Sequence, residues 1–263
     1  YIANNHFDVN SAYLSKVGDD QLSEEMLQFM SDNRVDIKYV KKVTGSTTGL
    51  YLISLVNGER TFSYWRNNSA AKLLAQSPDD LENAMKDQDI IYFSGITLAI
   101  LDSNSRENLF SGLKLARHAG TKIAFDPNIR PKLWTDRNEM CEVIMAGANL
   151  SDIILPSFED EAVWFSDTDP NSTLDRYRNV GAETIVVKNA GKPISFFSEQ
   201  EMGIHNIKAI EKIVDSTAAG DSFNSEILVG LLRKIPINDA INNGVNLAKK
   251  VIVGKGALVP SNV

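Results

Sequence analysis

Short apolar runs recur about every thirty residues through the middle of the chain, at residues 90–93, 122–125, 152–155 and 184–187, with helical patterns between them. A strand covered on both faces reads as an unbroken apolar run, and a parallel partner strand needs a helical crossover to reach it. The expected fold is therefore α/β, a mainly parallel central sheet with helices on both faces. Ser77-Pro78-Asp79-Asp80 supplies a helix start, and the amphipathic stretch 105–118 stops at Gly120. With 43% hydrophobic residues among 263, the chain can bury a substantial core in one domain plus a small appendage. The recurrence is an alternation of elements, not a sequence repeat.

Residues 48–67 follow a different pattern. Two β-rich runs flank Asn57-Gly58, a strong signal for a tight hairpin. Tyr51 alternates with Ile53 and Leu55, while Phe62, Tyr64 and Arg66 share a face opposite Ser63 and Trp65. Aromatic surface beside a guanidinium suits a small polyhydroxy acid: arginine grips a carboxylate through two parallel hydrogen bonds, and phenolic hydroxyls address sugar oxygens. The same residues also permit an aromatic cluster that merely holds the hairpin together, or a dimer interface. The expected division is an α/β domain of residues 1–43 and 68–263, with 44–67 as the hairpin part of a small β lid.

The chemistry concentrates in Val214-Asp215-Ser216-Thr217-Ala218-Ala219-Gly220-Asp221-Ser222-Phe223-Asn224. Phe223, Ile227, Leu228 and Leu231 recur at helical spacing, so Ala218-Ala219-Gly220 falls where a helix leaves its first amides unpaired. Small residues let an anion approach those amides, and the helix dipole favours it. A carboxylate there, Asp221, makes sense as the group that takes a proton from an attacking hydroxyl in phosphoryl transfer. The alternative is that Asp215, Ser216 and Thr217 cap the helix and Asp221 complements its dipole. Ser94-Gly95, Asp126-Pro127-Asn128, Pro156-Ser157 and Lys188-Asn189 follow the four strands, at the sheet edge where ligands collect, although such residues are also ordinary turn formers.

DSTAAGDSFN resembles the DTxGAGDxF signature of the ribokinase-like, PfkB-type carbohydrate kinases. GLYLISLVNGERTFSYWRNNSAA, FSGITLAIL and FDPNIRPKLW look like the 2-keto-3-deoxygluconate kinases within that family, in the same order and nearly from end to end. The resemblance implies ATP-dependent phosphorylation of the 6-hydroxyl of a sugar acid, with Mg²⁺ and room for a monovalent cation. It makes Asp221 the base, Ala218, Ala219 and Gly220 the anion hole, and Arg130 a second arginine near the reacting groups. Tyr51, Tyr64, Trp65, Arg66, Arg130 and Asp221 are then the substrate contacts. Asn128, Lys188, Asn189, Gly191, Asn246 (on a helix over 238–253) and Ala257 join the anion-hole residues around the nucleotide. Within Glu159, Asp160 and Glu161, the resemblance points to Glu161 as the acid that acts on magnesium through water. It also implies a homo-oligomer formed through the lid.

Three features depart from the family pattern. Phe158 stands where the N-x-x-E region has asparagine, and Glu226 where a glycine is usual. The chain opens at Tyr1-Ile2-Ala3-Asn4-Asn5, which resembles the part of the fold just after the N-terminal Gly-Gly motif, so that motif and the first strand are expected outside these residues. A fructokinase- or ribokinase-type kinase of a neutral sugar, or a non-catalytic sensor on the same scaffold, are the alternatives. A net charge of −7 disfavours nucleic acid as a partner and requires a locally basic pocket for any anionic substrate. One cysteine, Cys141, builds no disulfide framework, and no membrane span or signal peptide is read, so the expected location is the cytoplasm. His6, His118 and His205 are too scattered for a zinc site, and no G-x-G-x-x-G follows an early strand to support NAD-linked chemistry.

Overall fold

The computed structural model of the protein describes residues 1–7, 9–56, 59–199, 201–207, 213–254, 256 and 258. Helix α1 (Ile2–His6) leads to a small parallel sheet of β1 (Ser15–Val17) and β2 (Val40–Lys42), which α2 (Gln21–Asp32) connects. Strands β3 (Leu50–Val56) and β4 (Glu59–Trp65) pair antiparallel as a separate ribbon, with Tyr51 opposite Tyr64 and Leu50 opposite Trp65. The Asn57-Gly58 turn expected between them lies outside the described residues.

Helix α3 (Pro78–Met85) starts as its sequence predicts: the Ser77 hydroxyl accepts the Asp80 amide, and Pro78 sits in the first turn, where its missing N–H costs nothing. The alternation then unfolds as β5 (Ile90–Ser94), α4 (Gly95–Ile100), α5 (Ser103–His118), β6 (Lys122–Asp126), α6 (Arg137–Asn149), β7 (Ile153–Ile154), α7 (Phe158–Phe165), α8 (Pro170–Asn179) and β8 (Thr184–Val187). Strands β9 (Ile194–Ser198) and β10 (Glu201–His205) complete a sheet of order β10-β9-β8-β7-β6-β5, and α9 (Ala219–Leu232) and α10 (Ile237–Ile252) follow. From β5 to β8 the strands are parallel, whereas β9 and β10 run antiparallel. The reason is the turn between β8 and β9. Ala190 (φ 40°) and Gly191 (φ 80°) both take left-handed backbone there, and the Lys192 amide donates to the Asn189 carbonyl at 2.7 Å. A connection this short returns the chain antiparallel.

Side chains alternate across the sheet and find helices on either side. On β6, Ile123 and Phe125 join one core cluster with Leu98, Leu113 and Ile144, while Ala124 faces another with Phe223, Ile227 and Ile241. Burying each such isoleucine or phenylalanine is worth ~1.5–3 kcal/mol. Helix α9 seats closely on α10 because residue 244 is glycine: a Cβ there would come 2.8 Å from the Phe223 ring. Apolar packing thus holds the helix that carries Asp221, and the polar strand ends emerge at the carboxyl edge beside it. Among the described residues, no helix is long and apolar enough to cross a membrane.

Candidate active site

The turn that leads into α9 is shaped by Asp215. Its Oδ1 accepts the Thr217 amide at 2.9 Å and the Thr217 hydroxyl at 2.6 Å, and its Oδ2 accepts the Gly256 amide at 3.1 Å. The Val214 and Asp215 amides both donate to the Ile252 carbonyl, which fastens the turn to the end of α10. Ala218 then adopts a left-handed φ of 61° as the N-cap, with no side-chain cap on the helix. Capping by Asp215, Ser216 or Thr217, which the sequence permits, is therefore not what happens. The helix start keeps its dipole and first-turn amides without a capping side chain, the arrangement that favours an anion. Of the three amides read as an anion hole, that of Ala219 also donates to the Ser216 carbonyl at 3.3 Å.

Asp221, in the first turn of α9, is open to solvent at the mouth of the site while much of its surroundings is protein. Burial pushes its carboxyl above the ordinary range, Asp126 adds to that rise, and Lys188 and Arg130 oppose it. One helical turn later, Asn224 is 2% exposed and at the centre of a polar cluster. Its Nδ2 donates to Asp126 Oδ2 at 2.7 Å and to the Tyr92 hydroxyl at 3.3 Å; its Oδ1 accepts from Lys188 Nζ at 3.0 Å. Lys188 Nζ also donates to Asp126 Oδ2 at 2.9 Å. A Cβ placed on Gly220 would lie 3.9 Å from that same Nζ, so the ammonium stands directly beside the anion-hole turn.

The loop after β6 adds the arginine. The Asn128 amide, at φ 35°, donates to Asp126 Oδ1 at 3.0 Å, and Arg130, half exposed, lies 3.8 Å from Asp160 Oδ2. This loop packs so tightly on the start of α4 that a Cβ on Gly95 would fall 1.9 Å from the Pro127 carbonyl oxygen. Helix α7 is tied to the end of β8 by the Phe158 amide donating to the Lys188 carbonyl at 2.8 Å. It turns Asp160, not Glu161, toward the site.

Glu161 is fully buried on the other face of α7. Its carboxylate accepts from Arg176 Nη2 at 2.7 Å and from the Tyr177 hydroxyl at 3.0 and 3.1 Å. A role for Glu161 at a metal does not fit that environment. Asp160 and Glu161 are neighbours, but one residue rotates a helix by about 100°, which separates the buried acid from the one beside Arg130. Ser157 and Asp160 have the same i, i+3 spacing as the N-x-x-E region, in place of Phe158 and Glu161. No group of three or more His, Cys, Asp or Glu among the described residues could hold a metal by itself. Mg²⁺ asks for less, because it keeps several waters and binds through one or two carboxylates plus phosphate oxygens; Asp160, with 36% of its side chain exposed, meets that demand.

On the ribbon, the Tyr51 and Tyr64 rings lie 6.3 Å apart, and the Arg66 guanidinium sits 4.3 Å over the Tyr64 ring. Strand alternation sends Trp65, which pairs with Leu50, to the opposite face. Asn189 and Gly191 belong to the β8–β9 turn, Asn189 donating to the Pro193 carbonyl at 3.3 Å. Asn246 is exposed on α10, and Ala257 lies outside the described residues. Glu226 is partly buried on α9, where burial raises its carboxyl and Arg233 opposes the rise.

The model of the pfkB family carbohydrate kinases matches residues 2–262. The chain belongs to that family. Among pfkB relatives, it is 37% identical over 253 residues to a 2-dehydro-3-deoxygluconokinase of Haemophilus influenzae, covering 94% of this chain and 80% of that protein. It is 34% identical over 255 residues to the enzyme of the same name from Escherichia coli K12, covering 94% and 82%. Its fold matches the crystal structure of a fructokinase from Vibrio cholerae O395 in fructose, ADP and calcium ion bound form, with a TM-score of 0.84 at 22% identity over 99% of this chain and 85% of the other. The pfkB kinase described here thus gathers Asp126, Asn128, Arg130, Lys188 and Asp221 at the sheet edge, and Tyr51, Tyr64 and Arg66 on the ribbon. Sequence reasoning missed Tyr92, the turning of Asp160 toward Arg130, and Asn224, although Asn224 stands inside the motif; its polarity next to Phe223 and three residues before Ile227 was the available signal.

Proposed function

We propose that this carbohydrate kinase transfers the γ-phosphoryl group of ATP to the 6-hydroxyl of 2-keto-3-deoxygluconate. The reading is carried by Asp221, accessible beside an uncapped helix start and flanked by the cations of Lys188 and Arg130. Asp221 accepts the hydroxyl proton while the substrate oxygen bonds to phosphorus and the bond to the bridging oxygen of ADP breaks. The Ala218 to Gly220 amides stabilise the charge on the phosphoryl oxygens. Arg130 and Arg66 hold the acid and phosphate ends, with Tyr51 and Tyr64 on the sugar, and closure of the ribbon excludes water that would otherwise hydrolyse ATP. Bound with the nucleotide, Mg²⁺ would neutralise phosphate charge, and Asp160 would meet it through water.

The names of the similar 2-dehydro-3-deoxygluconokinases support the sugar acid. The like-folded fructokinase supports a second reading, a neutral sugar as acceptor, in which Arg66 meets no carboxylate. The outer ribbon face of Leu50, Leu52 and Trp65, each 45–58% exposed, is proposed to pair with a second copy of the chain. ATP consumption with 2-keto-3-deoxygluconate, fructose and ribose, with and without potassium, tests the substrate. The sugar acid is expected to lead in kcat/KM by about 10²-fold or more, since a site built around a charged contact rejects analogues that lack it. Turnover of fructose alone overturns the sugar-acid assignment, and tight binding of ATP and sugar acid without product identifies a sensor.

A further inference from the structure

Helix α9 carries both the proposed base and the proposed anion hole, so its register on the sheet decides where they stand. Its inner side is held by Phe223 and Ile227 in the apolar core. Apolar packing is non-directional and fixes burial better than it fixes sliding or rotation. Its directional contacts to the sheet come from Asn224, and they reach three separate strands: Tyr92 within β5, Asp126 at the end of β6 and Lys188 just after β8. A buried asparagine in a helix interior is intrinsically unfavourable, because its side chain competes for backbone partners, and is tolerated where its hydrogen bonds are satisfied.

We infer that Asn224 is a positioning residue that registers the base helix over the sheet edge and holds Lys188 between Asp126 and the anion-hole turn. The inference rests on the phosphotransfer reading above but not on which sugar is the acceptor. Only an amide fills this place: its two N–H groups serve Asp126 and Tyr92 while its oxygen takes the lysine. Leucine of similar size supplies none of these bonds. Aspartate keeps the acceptor and adds a carboxylate beside Asp126.

The test measures kcat and KM for ATP and for whichever sugar the parent enzyme phosphorylates, in Asn224→Leu, Lys188→Met and the double variant, with circular dichroism and thermal melts to establish folding. Each single variant is expected to lose about 10²-fold in kcat, as for a misplacement of about 1 Å, with the KM for sugar within threefold of the parent. If Asn224 acts by holding Lys188, the double variant loses no more than the worse single. Asn224→Asp, an isostere that retains the shape of the core, is expected to lose turnover as well and to move the acidic limb of kcat to higher pH. Asp221 is faced there by Asp126, Lys188, Arg130 and Tyr92, to which a further acid is added. Unchanged kcat in folded Asn224→Leu and Asn224→Asp, or multiplied losses in the double variant, overturns the inference. A parent that turns over fructose but not the sugar acid removes the substrate assignment and leaves this test intact; a folded parent that turns over no sugar overturns both.

Discussion

Asp221 sits among charges of both signs, and their balance predicts its pH behaviour. A base works ionised, so kcat rises as pH climbs through its pKa. Burial and Asp126 push that pKa up, and Lys188 and Arg130 pull it back. Lys188→Met removes one of the downward pulls, so the acidic limb of the kcat profile should shift to higher pH, and an unshifted limb would exclude the lysine from the electrostatics of the base. Asp221→Asn should lower kcat by about 10²–10⁴-fold, the usual range for a general base, while calorimetry still registers ATP and sugar acid. The small-residue turn and its aspartate were legible in the sequence because helix periodicity fixes where first-turn amides fall. Their supporting contacts were not: Asn224 reaches Asp126 and Tyr92 across 98 and 132 residues, and no spacing rule spans such separations.

Helix α7 gives two adjacent acids opposite environments. Asp160 looks into the site; Glu161 looks into the interior, where burial pushes its carboxyl up to about 7 against the pull of Arg176 and Tyr177. Arg176 is itself driven upward, Asp167, Tyr177 and Glu161 outweighing the burial that opposes its charge, so the acid and not the cation carries the titration. The folded protein then holds a proton that the unfolded chain has released between the ordinary glutamate value and about 7, and stability falls as pH rises through that window. Glu161→Gln should flatten this slope in melts recorded from pH 5 to 8; an equally steep slope in the variant would refute the assignment. The ribbon is the second element with a separable role. Arg66→Ala should raise KM for the sugar acid about 10–100-fold, the loss of a charge-assisted contact, and leave any residual activity on fructose unchanged. Strands β6 to β8 were readable because burial on both faces writes an apolar run, and β5, at the end of the sheet order and only partly buried, carries a similar run. The β9–β10 hairpin was not: β9 is buried throughout, so it shows no alternation, and Ser195 and Ser198 break its apolar run, while β1 and β2 are three residues each.

At the scale of the molecule, a chain of net charge −7 has to receive the phosphates of ATP and, on the proposed reading, a sugar acid as well. Lys188 and Arg130 meet that demand at the sheet edge, among Asp126, Asp160 and Asp221, and Arg66 on the ribbon, so individually placed cations and not the net charge have to hold a phosphate. The ribbon divides its two faces the same way. Tyr51, Tyr64 and Arg66 share the face suited to a hydroxylated acid, and Leu50, Leu52 and Trp65 share the other, which leaves apolar surface exposed. A second copy set against that face would bury the apolar residues and stiffen the ribbon whose polar side is proposed to contact substrate, coupling assembly to affinity. Sedimentation should accordingly find the parent as a dimer or higher oligomer, and Trp65→Asp should shift it to monomer while raising KM for the sugar acid and leaving the melting temperature of the α/β body within a few degrees, as expected of a surface substitution. A parent that sediments as a monomer at micromolar concentration, or a Trp65→Asp variant that keeps both its assembly and its KM, would separate the ribbon from any role between copies.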